Sequence, residues 1–366
     1  IKVNNETQNT FAADVAITGN GNEVQLLGTF MSPPEGDAQI KASLELKPMM
    51  MKTLEAFIFG NLKNTEGNIS GKIDIEGTTA APRITGGLTF NHSKMNVAML
   101  NSTMLINNQT ISFNNQGIQF KQFEIRDAKN NAARINGSVR TTDYSDFAFN
   151  LSLNMDDFEA MNSTMEDNDM FYGKMYLTTN LKVTGDMNSP RVDGSIRVND
   201  NTDFYFVVPN ENPGVAEREG VVKFVDRSDS TSRNIFAQLD SINTAPAALT
   251  GMDISLKLQT DPEARFTVVL DPGTQDELHI QGIAELTAGI DASEKITMSG
   301  TYTIEKGEYT VPLGPLSRRF TLQQGSIITW GGDPLDANMN ITAVYSNRFP
   351  TLELVQGQID QQAQNL

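Results

Sequence analysis

FAFNLSLNM, Phe147 to Met155, alternates without a break: Phe147, Phe149, Leu151, Leu153 and Met155 fall on one side of an extended chain, and Ala148, Asn150, Ser152 and Asn154 fall on the other. A period of two is that of a β-strand with one dry face. The same period runs through Ile73 and Ile75, through Ile84, Gly86, Leu88 and Phe90, and through Leu181 and Val183. It continues through Val192, Gly194 and Ile196, through Ile254, Leu256 and Leu258, through Phe266, Val268 and Leu270, and through Leu278, Ile280, Gly282 and Ala284. Turns rich in Asn, Asp and Gly, such as Asp186 to Ser189, separate these runs. The pattern predicts an all-β chain of about twenty to twenty-five strands. Stacked along one sheet at about 4.8 Å each, twenty or more strands would span on the order of 100 Å. Helix is expected only over Pro48 to Leu62, where Met50, Leu54, Phe57 and Ile58 share helical spacing, and over the short acidic segment Asp156 to Met165.

The strands repeat in a fixed register. Gly77, Pro82, Arg83 and Gly86 return 108 positions later as Gly185, Pro190, Arg191 and Gly194, and Ile73, Ile75, Ile84 and Leu88 return as Leu181, Val183, Val192 and Ile196. Upstream, Gly28, Ile40, Ala42, Leu44 and Leu46 map onto Gly137, Phe149, Leu151, Leu153 and Met155 with an offset of 109. One unit of about a hundred residues is used at least twice, as in elongated arrays. The expected organisation is a first repeat unit over 1–110, a second over 111–220, a C-terminal unit over 221–350 and a Gln-rich tail over 351–366.

A sheet with one oily face must hide it against another sheet, against helices or against an apolar ligand. Helical residues are too few to cover it. A face-to-face sandwich, a closed barrel and a sheet curled into a trough all remain. Gly71, Gly86, Gly194, Gly282 and Gly300 fall on the apolar phase, where a missing side chain permits bending or close approach. Recurrent inward glycines fit a curled sheet; packing relief in a sandwich is the alternative. If the sheet is a trough, its lining is expected to include Ile73, Ile75, Ile84, Leu88, Phe149, Leu151, Leu181, Val183, Ile196, Leu256, Val268 and Ile280.

Composition narrows the chemistry. A formal charge of -17 argues against nucleic acid, which requires clustered Lys and Arg. There is no cysteine, and His92 and His279 are the only histidines, so thiolate sites and multi-histidine metal sites are out of reach. No cofactor, metal or catalytic residue is expected. The acids Asp156, Asp157, Glu159, Glu166, Asp167 and Asp169 lack the spacing of a calcium loop and read as a solvated turn. Arg83 and Arg191 are out of phase with their apolar neighbours and should face water; Trp330 reads as a packed residue near a turn or as a plug at one end of a trough. No run approaches the length of a membrane-spanning helix and no basic-then-apolar segment resembles a signal peptide, so any membrane anchor is expected to lie outside this chain.

The segment SGTYTIEKGEYTVPLGPLSRRFTLQQGSIITWGGDPLDANMNITAVY, Ser299 to Tyr345, carries Tyr302, Gly307, Tyr309, Arg319-Phe320, Gly325-Ser326, Trp330, Asp333-Pro334 and Ala343 to Tyr345. It resembles the C-terminal domain of the TamB family, the AsmA-like subunits of the translocation and assembly module. Phe123 to Asn162 is similar to the repeats of that family. The resemblance implies a U-shaped hydrophobic β-groove, often called a β-taco, without enzymatic activity. It implies phospholipid transfer across the periplasm between inner and outer membranes, a role in outer-membrane protein assembly, and an Omp85-family barrel (TamA-like) as partner. Competing readings are a structural or adhesive β-sandwich array with no lipid cargo, a transmembrane barrel, for which one Trp and seven Tyr make poor aromatic girdles, and a β-solenoid enzyme.

Overall fold

Side chains that alternate between apolar and polar leave the backbone to satisfy its hydrogen bonds across strands, and most of the described residues do so. The structure, a computed structural model, describes residues 2–7, 9–58, 60–208, 251–274, 276–291, 295–313, 316–334 and 336–346. Among them 73% lie in strands and 2% in helix, so the fold is all-β.

Twenty-two strands form one sheet. The chain lays down β1 (Lys2–Thr7), β2 (Thr10–Gly19), β3 (Asn22–Met31), β4 (Gln39–Met50), the single-turn helix α1 (Met51–Glu55), β5 (Leu62–Thr78) and β6 (Pro82–Val97). Next come β7 (Ser102–Ile106), β8 (Gln109–Asn114), β9 (Gly117–Arg126), β10 (Ala132–Arg140), β11 (Ala148–Ser163), β12 (Phe171–Asp186), β13 (Pro190–Val198) and β14 (Asp203–Val207). The last group is β15 (Asp253–Thr260), β16 (Arg265–Asp271), β17 (Asp276–Ile290), β18 (Ile296–Leu313), β19 (Leu316–Leu322), β20 (Ser326–Gly332), β21 (Ala337–Asn340) and β22 (Ala343–Val344).

Neighbours pair antiparallel except where β13 meets β15 and β14 meets β16, which are parallel. Ion pairs cross that parallel junction, Arg191 to Asp253 at 2.6 Å and Arg197 to Asp261 at 2.8 Å. Four pairs of short strands lie end to end against a single long neighbour, β7 with β8, β13 with β14, β15 with β16 and β19 with β20, and a fifth pair, β21 and β22, lies end to end against β20 and β19. The other twelve strands each occupy a row alone, so the described strands make seventeen rows. Sixteen steps of about 4.8 Å give a sheet roughly 77 Å long, shorter than the strand count alone predicts because five rows hold two strands.

The repeat in the sequence is a repeat in the pairing. In the β5–β6 hairpin Gly77 faces Pro82, Ile75 faces Ile84 and Ile73 faces Gly86. In the β12–β13 hairpin Gly185 faces Pro190, Val183 faces Val192 and Leu181 faces Gly194. The upstream partners agree as well, Gly28 opposite Ala42 and Gly137 opposite Leu151. Pairing continues without interruption through residue 110, which lies inside β8. Residues 220 and 221, and the Gln-rich segment over 351–366, lie outside the described residues.

Both expected helices are corrected. Over Pro48 to Leu62 only Met51–Glu55 is helical, because β4 runs on through Met50 and Phe57 stands exposed rather than packed. Asp156 to Ser163 is strand, the second half of β11. There Asp157, at φ 47°, inserts one extra residue: Met155 faces Thr179, yet Phe158, three positions on, faces Leu177, only two positions away. A second shift brings Met161 opposite Met175. Bulges thus set Met155, Phe158 and Met161 on one face at a spacing of three, which imitates a helical period.

Candidate functional site

Cross-strand partners share a face, so the apolar surface can be followed from strand to strand. Starting at β2, one row reads Ile17, Val24, Leu46, Gly71, Leu88, Ile111 and Phe120. It continues through Gly137, Leu151, Val183, Val192, Ile254, Ile290 and Ile296 in β18. No residue in this row is polar. One position away, the opposite face reads Gln25, Glu45, Lys72, Gly87, Ser112 and Gln119, then Ser138, Asn150, Thr184, Arg191 and Asp253. The sheet is therefore oily on one side and wet on the other over most of its length.

The twelve expected lining residues all fall on the apolar side. Ile75 faces Ile84, Ile73 faces Gly86 and Leu88 faces Gly71; Phe149 faces Gly185 and Leu151 faces Val183. Leu181 faces Gly194, Ile196 faces Thr179 and Leu256 faces Gly194 from the other side. Val268 faces Leu278 and Ile280 faces Phe266. Ile73 and Ile280 are buried; the other ten are half-buried.

Burial follows a seam that runs along the sheet. Register shifts occur between Leu46 and Met49, between Lys63 and Asn68, between Ile135 and Gly137, between Met155 and Met161, and between Gln281 and Gly282. In the rows of paired short strands the seam is a break, at 107–108, 199–202, 261–264, 323–325 and 341–342. Bulges bend strands. The driest side chains cluster beside this line: Ile69, Ile106, Phe123, Phe158 (1% exposed), Ala264, Ala284, Ile304 (0%) and Leu322. At the first rows of the same face, Phe11 and Ile17 are 44% and 57% exposed.

Glycine makes the close approach possible. Gly86 and its repeat equivalent Gly194 sit at φ 129° and 152°, and a Cβ there would lie 2.0 Å from Lys72 O and 2.1 Å from Asn180 O. No side-chain-bearing residue fits that backbone without strain.

The two sides of the seam differ in chemistry. One side is dominated by Ile, Val and Leu. On the other a row reads Phe171, Phe206, Val268, Leu278, Tyr309 and Phe320, flanked by Phe204 and Phe266. Rings from separate rows converge: Phe90 of β6 meets Phe123 of β9 at 5.8 Å, and Phe266 of β16 meets Tyr302 of β18 at 6.3 Å, each edge to face with a row between them. Sequence reading found Phe266, Val268, Leu278 and Ile280 of this side by their alternation and missed Phe158 and Met161 at the seam, which bulges move out of it.

Other residues singled out by sequence take structural places. Arg83 faces Glu76 on the polar side, and Arg191 there is held by Asp253. Trp330 packs on the apolar side opposite Gly300, and its Nε1 donates to Pro334 O at 3.0 Å. The acidic segment is not simply a solvated turn: Glu159 is buried and accepts a hydrogen bond from the Tyr176 hydroxyl, whose pKa is raised by burial and by that carboxylate. Asp127, fully buried, accepts from the amides of Lys129, Asn131 and Glu159 and ties the 127–131 loop to β11. Among the described residues no group of three or more His, Asp or Glu is placed to hold a metal. His279 Nδ1 shares a 2.8 Å hydrogen bond with Thr267 Oγ1, a residue only 3% exposed, and its Nε2 lies 3.3 Å from Glu277. No helix among the described residues is long and apolar enough to cross a membrane.

The family model of the TamB C-terminal domain matches residues 119–362, from β9 onward. No curated protein and no solved structure matches the chain.

Proposed function

Because the chain belongs to the TamB family, we propose that its apolar face conducts phospholipid acyl chains through the periplasm between the inner and outer membranes. The family is a transport and assembly component of the cell envelope, so a second part of the reading is support of outer-membrane protein assembly beside an Omp85-family barrel.

One observation carries the lipid reading: an unbroken apolar row crosses fourteen strands, and eleven of its fourteen residues are half-buried where a closed core would be dry, with Leu46 buried and Ile17 and Ile296 at the two ends exposed. Bending at the seam turns such a face inward and leaves the strand ends as rims. A trough of this kind shelters acyl chains and leaves headgroups in water. Each sheltered methylene contributes about 0.8 kcal/mol, so ten half-covered methylenes gain on the order of 4 kcal/mol, enough to hold a chain. Because the lining along one side is mostly aliphatic, no position forms a deep trap, and a chain can slide.

The test is Leu181→Asp with lipids quantified by mass spectrometry after purification. A trough admits water to the new carboxylate, so the protein stays folded and carries at least several-fold less phospholipid. Global unfolding of the variant would instead mark a closed sandwich core, where an unpaired charge is not tolerated. Unchanged lipid content would count against conduction along this face.

A further inference from the structure

We propose that the Tyr302 hydroxyl donates a hydrogen bond to the acyl-ester carbonyl of a glycerolipid lying against the apolar face. The proposal rests on the lipid reading above and adds to it a polar contact that fixes where the ester region of the cargo pauses.

Tyr302 stands on β18 between Ala284 of β17 and Ile328 of β20. Only 6% of it is exposed, and it belongs to the cluster of Ile280, Ala284, Ile304, Leu322 and Ile328 beside the seam. Its ring reaches across β17 to meet Phe266 edge to face. The hydroxyl at the tip of that ring is enclosed and has no hydrogen-bond partner. A buried hydroxyl left unpaired is unfavourable, and phenylalanine would fill the same space without the penalty. Trp330, packed against the same cluster, has its one polar ring atom committed to Pro334 O. Burial pushes the Tyr302 phenol above its ordinary value, so the group stays protonated and remains a donor at neutral pH.

The acceptor that matches is set by chemistry. Acyl chains offer only C–H groups, and headgroups carry charges that would be costly to bring this deep. The ester carbonyl is the one neutral, strong acceptor attached directly to an acyl chain. Ala284 on the facing strand and Gly300 two positions before on the same strand are the small neighbours on this face, and the enclosed hydroxyl meets the ligand by a tilt of the ring past them.

The experiment loads the full chain from vesicles of a diacyl phosphatidylcholine and, separately, of its dialkyl ether analogue with the same headgroup and chain length. The native protein is expected to retain the ester lipid about 2- to 10-fold better, the range supplied by one hydrogen bond. Tyr302→Phe should bind both lipids equally while melting at the same temperature or higher. Equal binding of the two lipids by the native protein, or a preference that survives in Tyr302→Phe, would overturn the role of Tyr302 and leave the lipid reading intact. Failure of the native protein to bind either lipid would overturn both.

Discussion

At the scale of single residues, the glycines of the apolar face make the sharpest claim. Their placement was legible in the sequence, since Gly86 and Gly194 interrupt an alternating apolar series at equivalent points of the repeat. Their backbone angles were not, because nothing in the alternation distinguishes a glycine that relieves packing from one that adopts φ near 130° to 150°. Gly194→Ala should therefore cost at least about 2 kcal/mol in denaturant unfolding, from backbone strain and the clash with Asn180 O. Gly331→Ala is the matched control: a Cβ there meets nothing within 4 Å, and its stability should be close to that of the native protein. Equal losses at both positions would show that glycine matters for another reason. The extra residue at Asp157 was equally hidden, and with it the inward direction of Phe158 and Met161, because a bulge is a property of two strands and a single strand's sequence does not declare it.

At the scale of elements, hairpins were readable and helix boundaries were not. The β5–β6 and β12–β13 hairpins pair as the repeat predicts, since alternation fixes which face is buried and a one-residue slip would turn it outward. The helix at Met51–Glu55 is a single turn held by its surroundings. The Glu55 carboxylate lies beside Lys52 and accepts from the backbone and hydroxyl of Thr65 at 2.9 and 2.7 Å, which ties the turn to β5. These contacts, the Lys52 hydrogen bond foremost, lower its pKa from 4.5 to about 2. A folded value below the unfolded one means that the tie stabilises above pH 4.5 and is lost as the pH falls from there toward about 2. Stability curves of the native protein and Glu55→Gln should therefore converge over that window and run parallel above it. A gap between them that stays constant down to pH 2 would show that the charge on Glu55 contributes nothing.

At the scale of the whole molecule, one row of the apolar face runs without a polar interruption from β2 to β18 through two repeat units and across the parallel junction. The family match begins at residue 119, yet the strands before it pair into the same sheet with the same register, so the upstream unit extends the same surface. Sequence conveyed the continuity, because every strand carries its own alternation. It did not convey the seam, which arises from where bulges and breaks line up in neighbouring rows. The central claim is that the apolar side meets lipid and the polar side meets water. Leu181 and Lys182 are adjacent in β12 and point to opposite faces, opposite Gly194 and Asp193. A photo-cross-linking amino acid at each position, activated in cells making the full-length protein, compares the two faces with everything else held constant. The account predicts phospholipid adducts at position 181 and none above background at 182. Adducts at neither position, or equal yields at both, would contradict it.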